Sequence, residues 1–128
     1  MPNMQFADLA GGSDTAVNQH ATVDYYNAVQ KAAGTEASQA ALRLYIAPGV
    51  NHCAGGAGAD NADLLAALDA WVVANQPPLT LMARKLDAQG SEQFTRPLCQ
   101  YPQYPRYTGP SDNAEAAKQA ANFRCTAP

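Results

Sequence analysis

A chain of 128 residues is long enough for one domain with a modest core and too short for two comfortable ones. Eight Lys and Arg against eleven Asp and Glu give a net charge of −3, and the basic residues are scattered, which argues against a nucleic-acid partner because a phosphate backbone calls for clustered cations. No apolar run reaches the roughly eighteen residues of a membrane span, and "MPNMQFADLAGGSD" lacks the basic start and apolar stretch of a signal peptide.

The elements follow in chain order. "MQFADLAG" is a poor strand candidate. From Asn18 to Ala33, Val23, Tyr26 and Val29 share one side of a helix, with Asn18 as N-cap and Gly34 as its stop. "ALRLYIAP" reads as a strand, Leu42, Leu44 and Ile46 alternating with Arg43 and Tyr45 until Pro48 and Gly49 end it. A glycine-rich loop, Gly49 to Ala59, carries His52 and Cys53. A second helix is expected from Asp60 or Asn61, with Leu64, Leu68, Trp71 and Val72 as its apolar stripe and Pro77 and Pro78 as its stop. "LTLMARK" and "SEQFTRPL" flank "LDAQG" as an antiparallel hairpin. A Pro/Tyr-rich tail then runs through a short alanine-rich segment of a helical turn or two to Cys125. Helix, strand, helix, hairpin and tail make this an α/β chain treated as a single unit over 1–128, with loops and helices in 1–76 and hairpin and tail in 77–128. Much of the apolar content is alanine, so the core is thin.

Three cysteines are present, an odd number. Cys99 and Cys125 bracket the tail, and closing a loop of that size would stabilise by about 3 to 4 kcal/mol in the chain-entropy account. Cys53 is left over, either free or paired with a cysteine outside this chain. A polyproline ligand in "QYPQYPRY" lacks a clear P-x-x-P with a flanking basic residue. His52 with Asp60 and Asp63 nearby has neither zinc nor EF-hand spacing, so no metal is expected on this chain.

Two residues stand out for chemistry. Asp14 follows two glycines and precedes the first helix; alone it reads as an Asx-turn or capping residue. His52 alone reads as a loop histidine bonded to backbone. Together, an acid after one strand and a histidine after the next match the Asp-then-His order of hydrolases built on an α/β sheet, where the carboxylate orients an imidazole that deprotonates a serine. A thiol of Cys53 activated by His52 is a weaker reading, since adjacent residues rarely point at one another.

"GVNHCAGGAGADNADLLAALDAWV", preceded by "GGSDTAVNQHATVDYYNAV" and followed by "TRPLCQYPQYPRYTGPSDNAEAAKQAANFRC", resembles the C-terminal part of the tannase and feruloyl esterase family, from about Gly11 to Cys125. The resemblance implies an α/β-hydrolase fold, of which this chain is a C-terminal fragment. It makes Asp14 the triad acid, His52 the general base and Cys53 half of a disulfide to the cysteine preceding the nucleophilic serine. Such a bridge would tie two loops together to the roughly 0.5 Å that catalysis demands. It also implies secretion or a periplasmic location, calcium in the complete enzyme and an aromatic-ester substrate. Two departures accompany it: no Cys-Ser motif is present, since Ser13, Ser38, Ser91 and Ser111 neither follow a cysteine nor sit in G-x-S-x-G, and relatives carry a strong apolar strand where this chain has "PNMQFADLA". The expectation is a segment inactive by itself, completed by an N-terminal portion. The alternative is a non-catalytic binding or assembly module, a homo-oligomer covering its unpaired faces.

Overall fold

The computed structural model describes residues 5–128; the first four residues, including Met4 of the expected strand segment, lie outside them. Strand β1 (Phe6–Gly11) pairs in parallel with β2 (Leu42–Ala47), in register from Phe6 opposite Leu42 to Gly11 opposite Ala47. The poor candidate is thus a true strand. Parallel pairing asks only for backbone groups and a helical crossover, and Ala7 and Leu9 supply enough apolar surface to pack on the core while Phe6 stays exposed.

The crossover holds two helices rather than one. Helix α1 (Gln19–Ala33) has the anticipated cap, Asn18 accepting from the His20 amide, and turns Tyr26 inward with Val23 and Val29 partly covered. Gly34, at φ 85°, ends α1 but leads at once into α2 (Thr35–Ala41), a helix the sequence did not announce. Its Ser38 is buried, the hydroxyl donating to Gly34 O at 2.8 Å.

Strand β2 is covered on both faces, which corrects the simple alternation expected of it. Tyr45 and Ala47 belong to one cluster with hairpin residues, Arg43 on the same face stacks over Trp71 at 4.8 Å, and Leu44 on the opposite face is fully buried. The polar ends are met locally in part: Arg43 Nη1 donates to the carbonyls of Gln39 and Leu42 while its Nε is buried without a partner among the described residues, and the Tyr45 hydroxyl donates to Pro78 O. Burial pushes the Tyr45 hydroxyl up to about 12.

The second major helix starts later than expected. Asn61–Ala62 forms a short strand, β3, paired with residues of the hairpin, and α3 (Leu64–Ala74) begins only after Asp63, whose carboxylate caps the Ala66 amide at 2.9 Å. Leu64, Ala67, Leu68 and Trp71 form its inner face; Val72, assigned to the stripe, is 56% exposed because the 3.6-residue period carries it past the contact. Asn75 closes the helix in the left-handed conformation, two residues before the first proline.

The hairpin is as read. β4 (Thr80–Leu86) and β5 (Glu92–Cys99) pair antiparallel around a turn in which Asp87 accepts from Gln89 and Ser91 and Gly90 takes φ 83°. Leu81, Ala83 and Leu98 join Tyr45, Ala47, Val50 and Ala59 in the main cluster, each large side chain there stabilising by about 1.5–3 kcal/mol. A bridge between Tyr45 and Gln100, with Tyr101 N donating to Leu44 O at 2.8 Å, stitches β2 to the end of β5.

The tail contains more order than its prolines suggested. β6 (Tyr104–Tyr107) pairs with β7 (Phe123–Thr126), and the alanine-rich segment forms two single 3-10 turns, Ala116–Lys118 and Ala120–Asn122. Proline is tolerated in such a two-stranded ribbon because each strand keeps an unpaired edge. Cys99 and Cys125 are disulfide-bonded, tying β7 to β5, and Arg96 is sandwiched between Phe94 and Phe123 at 4.7 and 4.4 Å.

Candidate active site

The parallel pair β1/β2 ends with two loops leaving the same strand ends, the place where α/β sheets put their chemistry. Their approach is close because Gly11 is a glycine. A Cβ there would stand 2.6 Å from Val50 O and nearer still to Asn51 O, so any side chain would push the loops apart. Gly12 N donates to Ala47 O at 2.8 Å and Ser13 N to Val50 O at 2.9 Å, fastening the first loop to the second.

Asp14 does two things at once. Its Oδ1 accepts from the amides of Ala16 at 2.7 Å and Val17 at 2.9 Å, the local turn expected of an aspartate in this setting. Its Oδ2 lies 2.8 Å from His52 Nδ1, 38 residues away in sequence. The Val17 amide above all, then His52 and the Ala16 amide, hold the Asp14 carboxyl below the usual aspartate range against the opposing effect of burial; its side chain is 9% exposed. An ionised carboxylate only accepts hydrogen bonds, so Nδ1 carries the proton and Nε2 is left as the basic lone pair. The ring is 55% exposed, and Nε2 has no hydrogen-bond partner among the described residues. Such an arrangement can take a proton from a hydroxyl placed against Nε2.

The second loop is tight. Asn51 N donates to Gly55 O at 3.1 Å, Gly58 N to Gly49 O at 2.9 Å, and Val50 and Gly56 form a bridge. Residues 52–54 form the tip. Asp60, read from the sequence only as a helix start and as part of no metal-binding spacing, accepts from the Gly55 amide at 2.7 Å and from Lys85 Nζ at 3.2 Å. The Gly55 amide first, and Lys85 after it, draw the Asp60 carboxyl below its ordinary range. No local sequence signal marks Lys85 as a partner of this loop, since it arrives from β4.

Cys53 is exposed, adopts φ 64°, and is the free cysteine among the described residues. No hydrogen bond joins it to His52 there, the imidazole being turned to Asp14. No serine hydroxyl bonds to His52 among the described residues either; that of Ser38 is engaged inside α2. Beside the pair lies a shallow depression of about 150 Å³ lined by Leu9, Val17, Gln19, Thr22 and Cys53. Among the described residues no three His, Cys, Asp or Glu side chains gather to hold a metal ion.

The profile of the family described as "Tannase and feruloyl esterase" matches residues 5–126. A mono(2-hydroxyethyl) terephthalate hydrolase from Piscinibacter sakaiensis is 41% identical over 121 residues, covering 92% of this chain and 19% of that protein. A probable feruloyl esterase from Arthroderma benhamiae is 36% identical over 119 residues, covering 90% and 21%. Among solved structures, an esterase from Aspergillus oryzae superposes with a TM-score of 0.82 at 22% identity, over 95% of this chain and 27% of that one. A tannin acyl hydrolase from Aspergillus niger gives 0.76 at 22% identity, over 97% and 23%. These superpositions give the chain the fold of a part of an α/β-hydrolase, and it spans about a fifth of the length of the curated relatives, 19% and 21%.

Proposed function

This chain belongs to the tannase and feruloyl esterase family, and from that membership we propose that it supplies the acid and base of a serine ester hydrolase acting on aromatic-acid esters such as gallates or ferulates. The nucleophile comes from polypeptide outside these 128 residues. The observation that carries the reading is the 2.8 Å contact of His52 Nδ1 with Asp14 Oδ2, which leaves Nε2 of a half-exposed ring without a partner among the described residues. Relatives named for a terephthalate ester, a feruloyl group and a tannin acyl group support an aromatic acyl moiety.

In the reaction, His52 Nε2 removes the serine proton as the hydroxyl oxygen attacks the ester carbonyl. Asp14 stabilises the imidazolium so formed. The tetrahedral intermediate collapses to an acyl-enzyme as His52 returns its proton to the departing alkoxide, and water, deprotonated in turn by His52, releases the acid. Cys53 at the loop tip is suited to a disulfide with the cysteine beside that serine. The Cys99–Cys125 bond supports an oxidising, extracellular or periplasmic setting, and no helix among the described residues is long and apolar enough to cross a membrane.

The test is complementation. The purified chain alone gives no turnover of methyl ferulate or methyl gallate; joined to the N-terminal portion of a family member it hydrolyses one of them, and His52→Ala lowers that rate by about 10⁶-fold. Turnover untouched by His52→Ala would discard the assignment.

A second reading, a self-associating module without catalysis, draws on the outer face of α3 and its surroundings, where Leu65, Val72, Val73, Leu79 and Met82 are all more than half exposed. Sedimentation separates the two: a monomer at micromolar concentration removes it.

A further inference from the structure

We infer that Lys85, together with Asp60, is a positioning residue for His52: their ion pair clamps the glycine arm of the loop whose tip holds the imidazole against Asp14. The inference rests on the reading of His52 as the base.

The tip, His52 to Ala54, has no buried side chain, so its placement is inherited from the two arms beneath it. The ascending arm is anchored by Val50, 3% exposed, whose carbonyl accepts from Ser13. The descending arm is Gly55, Gly56, Ala57 and Gly58, which offers almost no side chain to pack and, left to itself, the widest backbone freedom available. Two side chains take up that slack. Asp60 Oδ2 accepts from Gly55 N at 2.7 Å, and Lys85 Nζ donates to Gly56 O at 3.0 Å and to the same Asp60 oxygen at 3.2 Å.

Lys85 lies on β4, whose Leu81 and Ala83 are in the core, so the clamp refers the loop to a rigid hairpin. Both partners are largely covered, at 17% and 18% side-chain exposure, so water screens them little. The pair connects to the bonds that set the tip directly, since Asn51 N bonds to Gly55 O and Val50 bridges Gly56. Misplacing a catalytic group by about 1 Å costs on the order of 10²-fold in rate, so the clamp acts on turnover without touching substrate.

The decisive measurement is the ¹⁵N shift of the two His52 ring nitrogens in the 128-residue chain, which reports the tautomer fixed by Asp14 and needs no activity. Asp14→Ala defines the released ring. Lys85→Met and Asp60→Asn are expected to move both nitrogens toward those values, and Lys85→Arg to hold them near wild type. Asp60→Asn keeps the shape and a carbonyl acceptor for Gly55, so it reads the ion pair even where Lys85→Met fails to fold. In the complemented esterase Lys85→Met lowers kcat about 10- to 100-fold with little change in KM. Wild-type shifts in folded Lys85→Met or folded Asp60→Asn overturn the clamp and leave the base assignment standing; activity retained in His52→Ala overturns the base assignment.

Discussion

The loops that join Asp14 to His52 and the ribbon that closes the chain reach order by opposite means. The first depends on backbone brought within contact distance of backbone, Gly11 beneath Asn51 and Val50, with a row of amide bonds and a buried-edge ion pair holding it. Apolar surface stays open in the same half of the chain, at Val17 beside the site and at Phe6 and Tyr25 by the opposite strand ends. The second depends on a covalent bond from Cys99 to Cys125 and on Arg96 gripped between two phenylalanine rings. A disulfide stabilises chiefly by narrowing the unfolded ensemble and tolerates small local shifts; a close backbone approach tolerates none. The half bearing the Asp14–His52 pair is therefore the geometrically exacting one, and the tail is the half that gives the thin core its constraint.

The comparison is tested hardest by removing the covalent bond. Replacing Cys99 and Cys125 by Ser is expected to cost about 3 to 4 kcal/mol of stability, read by chemical denaturation. Amides of 104–107 and 123–126 should then exchange faster, while the Asp14–His52 signature in the ring ¹⁵N shifts persists. Equal loss of protection along 42–47 would show that the two regions are one cooperative unit and end the contrast.

Gly11→Ala makes the reciprocal test. The added methyl meets two carbonyl oxygens, so the loops must part, at an expected cost of about 1–3 kcal/mol. Here the ring shifts should collapse toward those of a free histidine while exchange in 104–107 and 123–126 stays slow. A variant that loses stability yet keeps the His52 tautomer would mean that the carboxylate, not the close approach, sets the geometry.

The sequence disclosed what is locally encoded. Asn18 announced α1, "LDAQG" announced the turn between β4 and β5, and the cysteines bracketing the tail paired as expected. Asp14 and His52 were visible as candidates by their place after strands; their 38-residue separation is closed by the β1/β2 pairing. What stayed hidden was set by tertiary contact. "TEASQAA" has no apolar stripe, and a glycine that reads as a stop precedes it, so α2 gives no signal. Asn61 and Ala62 form a strand only because β4 lies alongside, which moved the start of α3. Prolines masked β6 although its ribbon leaves room for them. Lys85 joins a loop 25 and 29 residues away, a contact that no spacing rule could supply.

The smallest expected effect is also the one that separates the regions by chemistry. The folded-state pKa of Asp14 lies below its unfolded value, because the Val17 amide, His52 and the Ala16 amide all favour the charged form. A group lowered in this way stabilises the fold fully above the ordinary aspartate value, near 3.9, and loses that contribution as pH falls through the folded value. The difference in melting temperature between wild type and Asp14→Ala should therefore be present at about pH 5 and should close on acidification below about 3.9. The disulfide carries no titrating group, so the deficit of the double serine variant should show no step in the same window. Asp14 lies at a loop with a half-exposed partner, which keeps the effect small and makes low ionic strength the condition to use. A melting gap unchanged down to pH 2 would mean that neither the Val17 and Ala16 amides nor His52 gives Asp14 a charge-dependent hold on the loops.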